Sequence, residues 1–252
     1  MNRVKRVAGL MCLAAFWGVQ AQAQTAAEII EKHLAASGGR AALAKITSRV
    51  ATGSITLTLP VGQLDGTIEV YSKKPNKTRN VVKLDLSALG AGTITAEQRF
   101  DGTSGFSNDD VNGYRETTGD QLVVMKNSSF PSALLDYQEQ GATAALAGRE
   151  PVNGKDAHAI VITPKAGPAA KVFIDAETFM LVRTTISLKA DQLGGQTIEQ
   201  VNEFTDFREV DGIKIPFSTT STNPLQTVKT TMTDVKHNVD LDDASFGKLA
   251  AQ

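Results

Sequence analysis

The sequence predicts a mainly β protein, built from one curled antiparallel sheet of about eleven strands with helices against its concave side. From residue 48 onward, most segments alternate polar and apolar residues over strand-like lengths, and clusters of Gly, Asn, Asp or Pro separate them. Helical periodicity is confined to the start of the chain and to one segment in its middle. So many strands do not lie flat, and we expect the curled sheet to leave a cavity.

The first 23 residues have the pattern of a cleaved signal peptide. A basic start with Arg3, Lys5 and Arg6 precedes an apolar run, and Ala21-Gln22-Ala23 offers small residues at the two positions a signal peptidase recognises. An N-terminal membrane anchor is the alternative, but the apolar run is too short to span a bilayer. We therefore expect export to the periplasm, with Gln24 as the first residue of the mature chain.

The composition of the mature chain excludes several classes of protein. Cys12, the only cysteine, lies within the predicted signal peptide and follows Met11, whereas a lipid-modified cysteine follows a small residue. We therefore expect that the protein is not a lipoprotein and that its mature chain has no disulfide and no thiolate metal site. The stability of the folded domain must then come from its hydrophobic core. Cleavage leaves a formal charge of about −4 and no basic cluster, which argues against nucleic-acid binding.

Residues 204–217 contain the clearest structural pattern, a β-hairpin. Asp211-Gly212 suits the two positive φ values of a type I′ turn. With a two-residue loop, Val210 faces Ile213 across the ladder, and the register follows from that pair. Further back, a loss of alternation between residues 201 and 204 predicts a bulge or a strong coiling of the strand.

Two charged residues lie on the mostly apolar face of this hairpin. Arg208 is predicted opposite Ile215, and Asp206 opposite Phe217. A buried charge needs a partner, so Asp206 and Arg208 form a candidate polar anchor for a ligand headgroup. The alternative is that they pair near the rim or with each other's neighbours.

Three helical segments are predicted. Thr25-Ala-Ala-Glu28 fits a capping box that starts the first helix, and Gly38-Gly39 supplies the left-handed stop at the end of that helix. A second short helix is predicted over 40–46. A third, over 130–146 and broken at Gly141, starts near a proline in the first turn and is expected to cover one face of the sheet.

No constellation of residues indicates catalysis, a cofactor or a metal. His33, His158 and His237 stand apart, and none has a second ligand at the spacing of a metal site. His33 falls on the apolar stripe of the first helix, which is typical of a packing residue. We therefore expect a protein that is not an enzyme and needs no cofactor.

Several turn and strand signatures resemble the exported LolA-like family, which includes periplasmic outer-membrane lipoprotein-sorting proteins. The signatures lie in Lys74-Pro75-Asn76-Lys77, in Phe100-Asp101-Gly102, and in the segments 146–154, 174–178 and 206–217. Together with the first helix, they extend the resemblance from Thr25 to Phe246. It implies an unclosed β-barrel of about eleven strands, formed by residues 24–252 as one domain, with a helical lid over an apolar cavity for acyl chains.

The inward residues of the alternating strands, together with two leucines of the third predicted helix, then become the predicted lining of that cavity. They are Ile55, Leu57, Ile68, Val70, Val82, Leu84, Phe100, Leu134, Leu135, Phe173, Phe204, Ile213, Ile215 and Phe217. The function implied is a monomeric carrier of a lipid or an acylated lipoprotein, which it would deliver to an inner- or outer-membrane protein. The alternative is an envelope stress sensor or scaffold that binds a protein partner through the same fold.

Overall fold

This computed structural model describes residues 24–87, 90–190 and 194–248. The predicted signal peptide, residues 1–23, lies outside the described residues. No helix within the described ranges is long and apolar enough to cross a membrane.

Thirteen strands of the described chain form one antiparallel sheet. They are β1 (Ser48–Leu59), β2 (Gly62–Lys73), β3 (Lys77–Asp85), β4 (Thr93–Phe100), β5 (Gly105–Asp109), β6 (Gly113–Thr117), β7 (Thr143–Val152), β8 (Lys155–Thr163), β9 (Ala170–Asp175), β10 (Leu181–Ala190), β11 (Gln196–Val210), β12 (Ile213–Asn223) and β13 (Gln226–His237). The helices are α1 (Ala26–Ala36), α2 (Arg40–Lys45) and α3 (Gly119–Asn127), and a 3₁₀ turn follows at Asp243–Phe246.

The order of the strands leaves the sheet open. The chain runs outward from β1 to β6, crosses over, and returns from β7 to β13, which pairs with β1 in the middle of the sheet. β6 and β7 are therefore the two edges, each paired with one neighbour. The prediction of a mainly β, unclosed barrel is confirmed, with thirteen strands instead of about eleven.

The hairpin between β11 and β12 has the predicted turn and register. Asp211 and Gly212 have φ values of 52° and 78°, and Val210 pairs with Ile213. The predicted bulge between residues 201 and 204 is wrong, because pairing with β12 is continuous there. The ladder is instead interrupted at Asp206, whose φ of 53° takes it out of the extended conformation.

The first helix begins and ends as predicted. The backbone N–H of Thr25 donates to Glu28 Oε2 at 2.8 Å, and Glu28 N–H donates to Thr25 Oγ1 at 3.2 Å. At the other end, Gly38 lies so close to the β11–β12 turn that a Cβ there would be 2.4 Å from the carbonyl oxygen of Gly212. The end of α1 is therefore packed directly against the hairpin.

The predicted helix over 130–146 is wrong. Residues 130–142 form successive turns, in which Leu135 N–H bonds to the Ser132 carbonyl and Ala142 N–H to the Tyr137 carbonyl, and β7 starts at Thr143. Leu134, Leu135 and Tyr137 are nevertheless buried, so the apolar residues pack as expected without helical backbone. The helix in the middle of the chain is α3, which lies earlier, at Gly119–Asn127.

Buried apolar side chains of the described residues form three clusters. The largest packs α1, α2 and the turns of 130–142 against inward residues of β8, β9 and β12. A second cluster, around Ile55, Ile68 and Leu84, lies on the inner face of β1–β3. The third lies on the opposite face and includes Phe173, because β9 alternates and its neighbours Val172 and Ile174 point into the largest cluster.

Candidate functional site

A cavity of about 280 Å³ lies between the sheet and its cover, in the described part of the chain. Its floor is the inner face of β8–β11, including Ile162, Val172, Leu181, Thr184, Ile186 and Asn202. Its roof is the end of α3 and the turns that follow, including Val124, Asn127, Ser132, Leu134, Tyr137 and Gln140. Both walls are mainly apolar, so the cavity favours an apolar ligand.

The floor carries one polar cluster, centred on Asn202 of β11. Its Nδ2 donates to Thr184 Oγ1 on β10 at 3.1 Å. Its Oδ1 accepts from Ser221 Oγ on β12 at 2.7 Å and from Gln200 Nε2 at 3.2 Å. Three adjacent strands thus hold one neutral amide at the cavity surface.

Of the side chains predicted to line the cavity, Leu134 borders this one. Leu135, Ile213, Ile215 and Phe217 lie in the core beneath α1 and α2. The first strands supply the separate cluster on the inner face, which contains Ile55, Leu57, Ile68, Val70, Val82 and Leu84. Phe100, at the end of β4, is fully buried.

Two predicted lining residues lie elsewhere. Phe173 packs on the outer face, with the Lys171 ammonium 5.6 Å and the Arg183 guanidinium 5.9 Å from its ring centroid. Phe204 borders a second cavity of about 470 Å³, together with Met180, Phe207 and Lys214. Since Val172, Phe173 and Ile174 are all apolar, alternation alone could not assign the inward phase of β9.

The candidate polar anchor is at the surface. Arg208 Nε and Nη2 donate to Asp206 Oδ1 and Oδ2 at 3.0 and 2.6 Å, and the two side chains are 52% and 42% exposed. The hydrogen bond from Arg208 lowers the pKa of Asp206. The guanidinium also lies 4.5 Å from the ring centroid of Phe217. The two residues therefore pair with each other at the surface, and neither borders the 280 Å³ cavity.

Two of the three histidines pack around Phe179. His33 is buried, and its Nδ1 donates to the Phe179 carbonyl at 2.9 Å, so it is the packing residue that its position predicted. His158 stacks on the Phe179 ring at 6.2 Å. Burial lowers the pKa of both side chains. Among the residues that the structure describes, no three His, Cys, Asp or Glu side chains form a metal-binding group.

The third histidine belongs to a polar cluster that the sequence did not indicate. Arg49 Nε donates to His237 Nε2 at 3.0 Å, and His237 Nδ1 lies 3.0 Å from Asp211 Oδ2. Arg49 also lies over the ring of Phe130, 5.1 Å from its centroid. Burial lowers the pKa of Arg49 to about 10. No local pattern could reveal this cluster, since its members come from β1, β13 and the β11–β12 turn.

The architecture defines an unclosed antiparallel β-barrel whose concave face is covered by helices and turns over an apolar cavity. No protein-family model matches the chain. No curated protein matches it either. Solved structures do match: a DUF1329 family protein from Desulfovibrio piger has a TM-score of 0.57 and 15% identity over 88% of this chain and 97% of that chain.

Two further solved structures are similar to nearly the same extent. An outer membrane lipoprotein-sorting protein domain from Vibrio parahaemolyticus has a TM-score of 0.56 and 11% identity over 88% of this chain and 95% of its own. A LolA superfamily protein from Nitrosomonas europaea has a TM-score of 0.55 and 16% identity over 90% and 99% of the two chains. The chain therefore has a LolA-like fold, as its turn and strand signatures predicted.

Proposed function

We propose that this protein binds a lipid or an acylated lipoprotein by burying an acyl chain between the sheet and its cover, and that it acts as a periplasmic carrier without a catalytic step. The observation that carries the proposal is the 280 Å³ cavity, whose floor and roof are mainly apolar. Its volume is just below the range for small-molecule pockets, which is about 300–1,000 Å³. We infer that one chain, and not several, occupies it.

Apolar burial alone can hold such a chain. Each methylene transferred from water into the cavity contributes about 0.8 kcal/mol, without any directional bond. Access is provided by the cover, because no described residue of α3 is buried. A segment with so few buried contacts opens at a small cost in free energy.

Native mass spectrometry of protein purified from a membrane-containing host tests the proposal. We expect a bound mass that organic extraction releases and that matches a lipid or a fatty acid. An apo mass that stays apo after lipids are added would contradict the proposal.

Two substitutions of alanine by leucine test where the acyl chain binds. Ala170 borders the cavity, so Ala170→Leu fills part of it and should abolish lipid uptake while the protein stays folded. Ala145, exposed on β7 and outside the cavity, provides the matched control Ala145→Leu, which should retain uptake. Equal uptake by both variants would place the ligand elsewhere.

The proposed location follows from the sequence, since the pattern of residues 1–23 supports export and cleavage before Gln24. We further propose that the exported protein is a monomer and delivers its cargo to an inner- or outer-membrane protein. Cell fractionation followed by N-terminal sequencing tests the export step. A membrane-bound chain that begins at Met1 would contradict it.

The open edges of the sheet favour a second candidate function, an envelope stress sensor or scaffold that binds a protein partner. β7 pairs with β8 alone, and Leu146 on β7 is 41% exposed. An unpaired edge can accept an extended segment of another chain through backbone hydrogen bonds. A photo-crosslinking residue at Leu146 should then capture one partner, and the same residue at Val61, in the exposed β1–β2 turn, should not.

A further inference from the structure

The cavity contains hydrogen-bonding groups but no charge. None of the described residues that line it carries a formal charge, and its polar side chains are hydroxyls and amides. Two charged neighbours of the floor, Arg183 and Glu203, point away from it, since they pair with each other at 2.5 Å and Arg183 lies over Phe173 on the outer face. An ionised group placed inside would therefore lose its hydration without gaining a partner of opposite charge.

Asn202 offers one directed donor to this cavity. Both acceptor positions of its Oδ1 are used, by Ser221 Oγ and Gln200 Nε2. Its Nδ2 carries two N–H groups, and only one has a partner among the described residues, the Thr184 hydroxyl. The amide is thus fixed in orientation by three strands, with one N–H left for a ligand at the cavity surface.

We infer that the site selects an uncharged acyl group, an ester or an amide, whose carbonyl oxygen accepts the free N–H of Asn202. This inference rests on the proposed function and specifies its ligand. The apolar walls bury the chain, and the carbonyl satisfies the one donor that burial would otherwise leave unpaired. A free carboxylate at the same position meets the same donor but no cation, so the matching fatty acid binds more weakly.

Three probes of equal chain length separate these contributions: methyl laurate, laurate and dodecane. Each is titrated at pH 7.5 against the purified protein loaded with N-phenyl-1-naphthylamine, an uncharged fluorescent reporter. In the wild-type protein, methyl laurate should bind roughly two- to tenfold more tightly than dodecane, the range of one neutral hydrogen bond. It should bind at least about tenfold more tightly than laurate, because the carboxylate is desolvated without a counter-charge.

Variants assign the preference to Asn202. Asn202→Leu should lower the affinity for methyl laurate to that for dodecane and leave dodecane unchanged. Asn80→Leu makes the same change on β3, away from the cavity, and should preserve the preference. If Asn202→Leu does not fold, the comparison of the three probes in the wild-type protein still tests the inference.

The outcomes distinguish this inference from the proposed function. If laurate binds as tightly as its methyl ester, or if folded Asn202→Leu retains the preference for the ester, the inference is wrong and the acyl-binding proposal stands. If none of the three probes displaces the reporter, the proposed function is wrong as well. The wild-type comparison is decisive by itself, since it depends on no substitution.

Discussion

The Nε of Arg49 donates a hydrogen bond to the Nε2 of His237 at 3.0 Å, across 188 positions of sequence. For Nε2 to accept, the imidazole must be neutral with its proton on Nδ1, which then donates to Asp211 Oδ2 at 3.0 Å. The contact joins β1 to β13, the pair of strands that connects the two halves of the sheet. A protonated His237 would instead place two cations side by side.

We predict that the protein loses stability as the pH falls below about 6.5, the ordinary value for histidine. Burial lowers the pKa of His237, the Arg49 cation lowers it further, and Asp211 acts in the opposite direction. Burial also lowers the pKa of His33 and of His158. Below this pH the unfolded chain binds more protons than the folded chain, so the free energy of unfolding decreases until the pH reaches the lowered pKa values.

Urea unfolding at pH 7.5 and pH 5.5 measures this effect. His237→Gln keeps a neutral side chain at both pH values, so its unfolding free energy should change less between them than that of the wild type. A variant with the full wild-type difference would show that His237 does not contribute to the pH dependence.

We predict that Gly38→Ala destabilises the protein more than Gly39→Ala. Both glycines have positive φ, 115° and 88°, so each alanine costs on the order of 1–3 kcal/mol in backbone strain. Only at Gly38 would the added Cβ also meet backbone, the Gly212 carbonyl oxygen at 2.4 Å, whereas nothing lies within 4 Å at Gly39. Urea midpoints of the two variants compare them directly, and equal midpoints would contradict the close packing of α1 on the hairpin.

We predict that Phe246→Ala releases the C-terminal segment from the sheet. Phe246 is fully buried in the 3₁₀ turn, and removing a buried aromatic ring costs about 3–5 kcal/mol. The Arg99 side chain, which donates to the Gly247 carbonyl at 3.3 Å, would lose that contact as well. Limited proteolysis should cut the variant after residue 238 while the wild type resists, and identical cleavage patterns would show that the polar contacts hold the segment without the ring.

Local chemistry explains what the sequence could predict of this fold. The Asp211-Gly212 turn, the Thr25 capping box and the alternation of strands such as β2 each depend on residues close together in the chain. The same reasoning placed a helix over 130–146, because Leu134, Leu135 and Tyr137 have helical spacing. Those residues are buried by successive turns instead, since packing against the sheet requires burial and not a particular backbone conformation.

The sequence by itself determined the class of fold and the register of the β11–β12 hairpin, because turn geometry and side-chain alternation act over a few residues. Only the tertiary structure decided which side chains enclose the cavity. Asn202, Thr184 and Ser221 meet because β10, β11 and β12 lie side by side. Arg49 meets His237 because β1 pairs with β13. Such contacts depend on the order of strands in space, which no local pattern encodes.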